Sequence, residues 1–316
     1  MQVETIDDSP AGRDMLVLFK VRRGPLGALD LGSGESRHRA ALRVFEQADA
    51  EFGLPAFGPL LLHTLDHPVC TAERPWRAYS FCTSATHLDV AAPDFVFGGW
   101  PEVGIDDYDE TCRAIAAAGA APAERPVVGW AGSLGTHPIR SELHRIGSEH
   151  PDLLDVQQVE WGARNSHGTK LSTVTGTHLS MAEQAARWGA LIDVEGAGYS
   201  GRLKLLLHAG RPVLIQDRPW HEWWHDAFRP MEHFIPVRRD LADLVDRARW
   251  VQDHPREAAA IGATGQALAQ RLLTRAAAAG RWVSVASAHD RAGGPWAPPE
   301  VVAALGSELA GLHKRG

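Results

Sequence analysis

The sequence predicts a doubly wound α/β protein with parallel sheets arranged in two lobes. Three observations predict this class. Short apolar runs typical of buried strands alternate along the chain with helical patterns, which is characteristic of parallel α/β sheets. The chain has 316 residues, enough for two cores, and 44% of them are hydrophobic. Only 22% are charged, so we expect a globular chain rather than a disordered one.

The first lobe is expected over residues 1–122. Its clearest strand is the leucine-rich run PLLLHTL, and its clearest helix is CRAIAAAGAA. Small residues and two prolines follow that helix over residues 117–126 and precede a new apolar run. Such a composition is typical of a boundary between lobes, so the first lobe is expected to end there.

The second lobe is expected over residues 123–287. Strand-like and helical patterns alternate through it as PVVGWAG, SELHRIG, ALIDV, RLKLLLHAG, RPVLIQD and DLVDRARWV. A segment rich in proline and glycine follows over residues 288–299 and is interpreted as a linker. One amphipathic helix is expected over the last residues, 300–316.

Composition argues against several classes of partner. The formal net charge is −7 and the pI about 6.1, which supplies no basic field for nucleic acid. No apolar run approaches 18 residues, so no membrane span is expected, and the first residues carry acids where a signal peptide would carry lysine or arginine. The three cysteines, Cys70, Cys82 and Cys112, lack CxxC spacing and fit a reducing compartment, so the cytoplasm is the expected location.

A glycine-rich loop is the first candidate site. Gly196, Gly198 and Gly201 follow the run ALIDV with GxGxxG spacing and precede a helical pattern. Such a loop lets backbone N–H groups approach a phosphate closely. On spacing alone, Asp217 matches the acidic residue of dinucleotide-binding sheets. Arg202 follows the third glycine directly and favours a different phosphate ligand, because a guanidinium binds phosphate oxygens; a purely structural turn is the remaining alternative.

Two further patterns look like metal sites. His221, Glu222 and His225 spell HExxH, the helix of zinc proteases, but no third ligand pattern follows, and tryptophans anchoring a short helix are the simpler interpretation. Asp107 and Asp109 form a DxD. Acids at the start of a helix cap its free N–H groups and complement its dipole, so ordinary helix chemistry explains this pair.

The apolar run PLLLHTL ends in a third candidate, formed by His63, Asp66 and His67. Metal binding by this set would need a sharp loop. A proton acceptor is favoured instead, because reacting groups in open α/β sheets gather at the carboxyl ends of strands. A solvated loop acid is the alternative interpretation of Asp66.

Taken in order, these segments resemble one family over roughly residues 60–275: the Rumi-like protein O-glucosyltransferases, the capsule-associated xylosyltransferases and their plant and bacterial lipopolysaccharide-modifying relatives. HTLDHP is similar to the family's N-x-x-D-x-P strand end, and AYSFCTSATHLDVAAPDFVFGGWPEV to its segment ending in GWPEV. VVGWAGSLGTHPIRSEL resembles xxRGSxTxxxRxxL, with Gly129-Trp130-Ala131 where relatives often carry an arginine. GAGYSGR resembles the GxxxSxR donor loop, and RPWHEWWHDAFRPMEHFIPVRRDL the region that follows it.

The resemblance implies a GT-B architecture, with two Rossmann-like lobes, the donor in the C-terminal lobe, the acceptor in the N-terminal lobe and an active-site cleft between them. The final helix would pack back on the N-terminal lobe. The implied reaction is an inverting, metal-independent and cofactor-free transfer of glucose, xylose or a similar sugar from a UDP-sugar to an acceptor hydroxyl. The acceptor would be a small molecule, a glycan or a natural product.

The resemblance also implies the roles of individual residues. Asp66 would be the general base. The donor set would be Ser133, Thr136, Arg140, Ala197, Gly198, Tyr199, Ser200, Gly201, Arg202 and Glu222, and the sugar or acceptor pocket would be His67, Trp100, Pro101 and Glu102. Two other classes stay open, an NAD(P)-dependent oxidoreductase that uses the loop 196–201 and a non-catalytic nucleotide-sugar-binding protein.

Overall fold

A computed structural model describes residues 2–5, 14–20, 26–31, 36–73, 76–159, 179–289, 291, 295, 297 and 299–304. The chain divides into two compact units. Unit 1 comprises Met1–Gly99, Pro219–Trp223 and Arg275–Gly316, and unit 2 comprises Trp100–Arg218 and Trp224–Thr274. Each unit therefore consists of segments that are separated in the sequence.

The strands and α-helices of the described residues are, in chain order, β1 (Gln2–Thr5), β2 (Met15–Lys20), β3 (Leu26–Asp30), α1 (Ser36–Phe52), β4 (Phe57–His63), β5 (Ala78–Ser80), β6 (Val90–Ala91), α2 (Tyr108–Ala120), β7 (Arg125–Gly132), α3 (Pro138–Glu149), β8 (Leu154–Gln158), α4 (Met181–Arg187), β9 (Trp188–Asp193), α5 (Leu203–Leu206), β10 (Val213–Gln216), β11 (Ile235–Val237), α6 (Leu244–Asp253), α7 (Pro255–Leu272), α8 (Arg275–His289) and α9 (Pro299–Ala304). Short 3₁₀ helices occur at Phe95–Gly98, Pro101–Val103, Leu134–Thr136, Leu207–Ala209 and His225–Ala227. The predicted alternation of strands and helices is confirmed.

Unit 1 contains a six-stranded sheet with the order β1-β3-β2-β4-β5-β6. β2 runs antiparallel to both of its neighbours, whereas the β1–β3, β4–β5 and β5–β6 pairs are parallel. The sheet is thus mixed rather than wholly parallel. Parallel neighbours need a crossover of a dozen or more residues, and the few residues between β2 and β3 allow only an antiparallel pair.

Within unit 1, helix α1 packs against its neighbours through small and aromatic residues. Phe45 of α1 contacts Trp282 of α8 edge to face, with ring centroids 5.4 Å apart. The 3₁₀ helix Phe95–Gly98 lies against the same helix, and Arg43 Nε donates to the carbonyl of Gly98 at 2.8 Å. A Cβ at Gly98 would lie 1.9 Å from the carbonyl oxygen of Ala40, so only glycine allows this approach.

The end of the chain also belongs to unit 1. Val301 of α9 is buried in a hydrophobic cluster together with strand residues of the mixed sheet, namely Met15, Val17, Leu29 and Leu61. The first turns of the expected C-terminal helix therefore pack on the unit that contains the N-terminal strands. Residues 305–316, the rest of that expected helix, lie outside the described residues.

Unit 2 contains a five-stranded sheet with the order β11-β10-β9-β7-β8, in which every pair is parallel. β8 lies on one side of β7, and the next strands, β9, β10 and β11, follow one another on the other side. The strand order therefore reverses at β7 and β9. Open parallel sheets bind their ligands outside the carboxyl ends of the strands at such a reversal.

Helix α2 belongs to unit 2, whereas the sequence composition had placed it before the boundary between the lobes. Asp107 caps this helix and accepts a hydrogen bond from the backbone N–H of Glu110 at 2.8 Å. Asp109 and Glu110 lie in the first turn. The helix-cap explanation of the DxD is confirmed.

Within the described part of the chain, no helix combines the length and the apolar character needed to cross a lipid bilayer.

Two glycine-to-alanine substitutions in unit 1 should have opposite effects on stability. Gly98→Ala places a methyl group against the backbone of α1, and such overpacking typically costs about 1–3 kcal/mol. Gly280→Ala in α8 meets no atom within 4 Å and should stabilise the helix by about 0.5–1 kcal/mol. Chemical denaturation of the two variants checks this. Equal midpoints would contradict the close approach at Gly98.

Candidate functional site

Four charged side chains meet near the carboxyl ends of β7, β9 and β10 in unit 2. Asp193, the last residue of β9, has no solvent-exposed area. Arg202 follows the glycine loop, Arg218 follows β10 by two residues, and Arg140 lies in the first turn of α3. The cluster therefore occupies the place where the strand order reverses.

The carboxylate of Asp193 is shared by two arginines. Its Oδ1 accepts hydrogen bonds from Arg202 Nε at 3.1 Å and from the Ser200 hydroxyl at 2.8 Å. Its Oδ2 accepts a hydrogen bond from Arg218 Nη2 at 2.5 Å. One buried carboxylate thus fixes the orientation of both guanidinium groups.

Backbone carbonyls accept further hydrogen bonds from Arg140 and Arg202. Arg140 Nε donates to the carbonyl of Glu195 and Arg140 Nη1 to the carbonyl of Ser133, each at 3.0 Å. Arg202 Nη1 donates to the carbonyl of Ala131 at 2.8 Å. These carbonyls follow or end β7 and β9, so the strand ends themselves position the cations.

The guanidinium groups of Arg140 and Arg202 both lie over the indole ring of Trp130. The ring is buried in β7, and its centroid is 5.5 Å from Arg140 Cζ and 5.2 Å from Arg202 Cζ. A guanidinium over an indole face is attracted by the ring's quadrupole. Trp130 belongs to the segment where relatives often carry an arginine, and here an aromatic ring supports two arginines from other elements.

The glycine loop lies against Arg140. A Cβ at Gly196 would be 3.2 Å from Arg140 Nη2 and 3.9 Å from Thr136 Cγ2. Gly196, Gly198 and Gly201 do not adopt a positive φ, so a left-handed backbone is not the reason for these glycines. At Gly196 the reason is the close approach of the arginine.

The cluster carries more positive than negative charge. Burial and repulsion from Arg202 and Arg218 lower the pKa of Arg140 to about 10, against the attraction of Asp193. Burial also lowers the pKa of Arg202. Burial opposes ionisation of Asp193, but Arg218 and Arg202 outweigh it and hold the pKa of that carboxyl below its ordinary value. Three guanidinium groups facing one carboxylate leave an excess of two positive charges, which suits a ligand with at least two negative charges.

Asp66 lies in unit 1, in the loop that follows β4. Arg37 Nη1, from the first turn of α1, donates to Asp66 Oδ1 at 3.0 Å and to the carbonyl of Thr64 at 2.9 Å. Arg37 also lies over the ring of Phe95, 4.7 Å from its centroid. The Asp66 side chain is 35% exposed, so its carboxylate is accessible from solvent.

A chain of buried polar groups fixes the start of the Asp66 loop. His38 lies between Asp30 Oδ1 and the Thr64 hydroxyl, with ring-nitrogen distances of 2.7 Å to each oxygen. The other end of the loop is held by Asp89, which accepts hydrogen bonds from the backbone N–H groups of residues 69 and 70. The loop that carries Asp66 is therefore preorganised.

The structure gathers only part of the predicted donor set at the strand ends of unit 2. Arg140 and Arg202 lie in the cluster, Ser133 contributes its carbonyl and Ser200 its hydroxyl, and Thr136 lies beside the glycine loop. Of the remaining loop residues, Ala197 is exposed, Gly201 is half-buried, and Gly198 and Tyr199 are buried, with the Tyr199 ring 5.4 Å from Lys204 Nζ.

The other predicted residues belong to different segments of the chain. Glu222 is buried in the segment Pro219–Trp223 of unit 1, and His67 is exposed in the Asp66 loop. Trp100 pairs with Ile105 through two backbone hydrogen bonds, and Pro101 and Glu102 lie in the turn between them, ahead of α2 in unit 2.

The HExxH pattern does not form a zinc-protease helix. The backbone of His221 pairs with Thr83 in an antiparallel bridge, and His225 begins a one-turn 3₁₀ helix. The two histidines therefore do not share a helical face. The short helix expected to be anchored by the tryptophans is limited to His225–Ala227. Among the described residues there is no group of three His, Cys, Asp or Glu side chains placed to hold a metal ion.

Sequence reasoning missed Arg218, Asp193 and Arg37. Arg218 stands close after the strand RPVLIQD, and its position at the carboxyl end of a parallel strand was an available signal. Asp193 ends the run ALIDV, and a single acid at the end of an apolar strand carries no local signal of its two arginine partners. Arg37 is 29 residues from Asp66 in the sequence, and no local pattern links the two.

A parallel α/β unit with buried arginines at the reversal of its strand order has the features of a protein that binds a phosphorylated ligand. Comparison of the sequence with known families narrows this class of phosphate-binding proteins further. Residues 60–283 match Glycosyl transferase family 90, and the chain belongs to that family. The predicted family resemblance is confirmed.

Named relatives agree with this assignment. Protein O-glucosyltransferase 3 of Homo sapiens is 33% identical over 134 residues, which cover 42% of this chain and 26% of that protein. The O-glucosyltransferase rumi homolog of Anopheles gambiae is 26% identical over 195 residues, covering 59% of this chain and 48% of that protein. The matches thus span less than half of either relative. Among solved structures, Anabaena Alr3699/HepE in complex with UDP has a TM-score of 0.35 at 11% identity, over 60% of this chain and 46% of that one.

Replacing the shared carboxylate should destabilise unit 2 in a pH-dependent way. Asp193→Asn leaves the guanidinium groups of Arg202 and Arg218 without their counter-charge, and removing one partner of a buried ion pair costs about 3–5 kcal/mol. Because the pKa of Asp193 is depressed in the folded state, this contribution is complete above the unfolded-state pKa of about 3.9 and is lost as the pH falls further, through the folded-state pKa. The difference in denaturation midpoint between the wild type and the variant should therefore be constant at neutral pH and become smaller as the pH falls below about 3.9.

The matched control is Asp246→Asn, an exposed acid of the same unit, which should change stability by less than about 0.5 kcal/mol. A difference between the wild type and Asp193→Asn that stays constant with pH would contradict the charge argument.

Proposed function

We propose that this chain is an inverting glycosyltransferase that moves glucose, xylose or a similar sugar from a UDP-sugar to an acceptor hydroxyl without a metal or another cofactor. Membership of Glycosyl transferase family 90 and the similarity to proteins named O-glucosyltransferases support the reaction class. The observation that carries the proposal is the buried cluster of three arginines around Asp193 at the strand reversal of unit 2.

The cluster suits the departing diphosphate of such a donor. Negative charge grows on the diphosphate while the bond to the sugar breaks. Fixed cations in a site of low dielectric stabilise that charge without having to reorganise. Arg140 and Arg202 would bind phosphate oxygens, and free N–H groups of the loop 196–201 would add donors. In this proposal the arginines supply the charge neutralisation that a divalent metal supplies in other enzymes.

The proposal assigns activation of the acceptor to Asp66. Arg37 holds Oδ1 of this carboxylate, and Oδ2 has no hydrogen-bond donor among the described residues. Oδ2 would accept the proton of the acceptor hydroxyl while the oxygen attacks the anomeric carbon from the side opposite UDP. A single displacement of this kind inverts the configuration at that carbon.

The remaining assignments follow from the family resemblance. We assign His67, Trp100, Pro101 and Glu102 to the sugar or acceptor pocket and Glu222 to the donor. The acceptor class is a small molecule, a glycan or a natural product. Three buried cysteines with free thiols support a reducing compartment, and we propose the cytoplasm of a bacterium as the setting.

Replacing the proposed base should slow the reaction without weakening nucleotide binding. General-base catalysis contributes about 10²–10⁴-fold in rate, so Asp66→Asn should lower kcat by that factor and leave the Kd for UDP within about twofold. Glu51→Gln, an exposed acid of unit 1, is the control and should be fully active. UDP release in the presence of acceptor and the anomeric configuration of the product, read by NMR, are the measurements. Full turnover in Asp66→Asn or a retained configuration would overturn the mechanism.

Removing one predicted contact to the UDP-sugar should weaken the binding of UDP. A charge-assisted hydrogen bond contributes about 1.5–3 kcal/mol, so Arg202→Met should raise the Kd for UDP about 10- to 150-fold. Arg145→Met removes the same charge from an exposed position of unit 2 and serves as the control. Calorimetry with UDP and with NAD⁺ on the wild type separates a nucleotide-sugar enzyme from an oxidoreductase. Binding of NAD⁺ without UDP would reject the proposed function.

A further inference from the structure

Arg218 presents buried hydrogen-bond donors that the protein itself does not use. Its side chain is only 4% exposed, and Nη2 is taken by Asp193. Nε and Nη1 are buried and have no hydrogen-bond partner among the described residues. Nη2 of the neighbouring Arg202 is in the same situation. Three N–H-bearing nitrogens from two adjacent guanidinium groups thus lack acceptors at one place.

Such an arrangement is costly unless a ligand completes it. A buried donor without an acceptor loses its hydration without replacement, and the loss is larger for a charged group than for a neutral one. The great majority of buried polar atoms in folded proteins are therefore hydrogen-bonded. Asp193 does not satisfy these nitrogens, because its oxygens accept from the Ser200 hydroxyl, Arg202 Nε and Arg218 Nη2 instead.

The backbone holds Arg218 at a fixed place in the sheet. The N–H of Asp217 donates to the carbonyl of Val237, so the parallel pairing of β10 and β11 extends to the residue before Arg218. Gln216 donates to the carbonyl of Arg239 and accepts from the N–H of Glu195, which ties the end of β10 to the start of the glycine loop. The guanidinium group is therefore positioned before any ligand arrives.

We propose that Arg218 is a third ligand of the donor's diphosphate, binding phosphate oxygen through the N–H groups that Asp193 leaves unused. This inference rests on the proposed function. Arg218 and Arg202 bind opposite oxygens of the same carboxylate, so one anion can accept from the donors that both guanidinium groups leave unused. The role of Asp193 is then to hold two phosphate-binding arginines side by side against their mutual repulsion.

The test is anion binding by Arg218 variants of the full chain, with UDP and inorganic pyrophosphate as probes. Arg218→Met should raise the Kd for both probes about 10- to 100-fold, because a charged donor group is lost. Arg218→Lys keeps a charge but not the planar fork, and should raise both values about 5- to 20-fold. Arg145→Met is again the control of equal charge and should change neither Kd. Melting temperatures identify variants that have lost the fold.

The inference on Arg218 is overturned if Arg218→Met melts like the wild type and binds both probes within about threefold of it. If Arg218→Met does not fold, Arg218→Lys decides, and wild-type affinity for both probes in that variant rejects the proposal. A wild type that binds pyrophosphate but not UDP would overturn the proposed function, while the pyrophosphate series would still test Arg218.

Discussion

The carboxylate of Asp193 is the group on which the candidate site of unit 2 depends. It is fully buried, yet it stays ionised because Arg202 and Arg218 approach both of its oxygens. Placing several arginines at the end of a hydrophobic sheet is unfavourable unless a counter-charge accompanies them. Asp193 compensates only part of that charge. Asp193 therefore allows the arginines to lie at the strand reversal and leaves part of their positive charge uncompensated.

The hydrophobic patterns of unit 2 were sufficient to predict β7, β9 and β10, because parallel strands buried on both faces read as continuous apolar runs. The edge strands β8 and β11 lack such a run and were not predicted. The glycine loop and Arg202 were also readable, since their spacing is local. Arg218 was not singled out, because its role depends on a carboxylate from another strand. The mixed sheet of unit 1 was missed for a different reason: the direction of β2 follows from its short connection to β3, which carries no hydrophobic signal.

Residue spacing alone does not identify a site where the secondary-structure element that the motif requires is not formed. The residues of HExxH match a zinc helix in the sequence, but His221 lies in a bridge with Thr83. The same caution applies to Asp66, the proposed base. The sequence pointed to Asp66 through its position at a strand end, whereas its orientation comes from Arg37 and from the buried chain of Asp30, His38 and Thr64. Those partners lie in β3, in α1 and directly after β4, and only the packing of unit 1 brings them together.

The division of the chain has a practical consequence for dissecting the protein. The backbone passes from one unit to the other after residues 99, 218, 223 and 274, so the five residues 219–223 belong to a different unit from the segments on either side of them. Neither half is encoded by one uninterrupted stretch. No single cut of the gene therefore yields one fragment for each unit, and the unit carrying the arginines would have to be expressed alone by joining residue 218 to residue 224 through an artificial bridge.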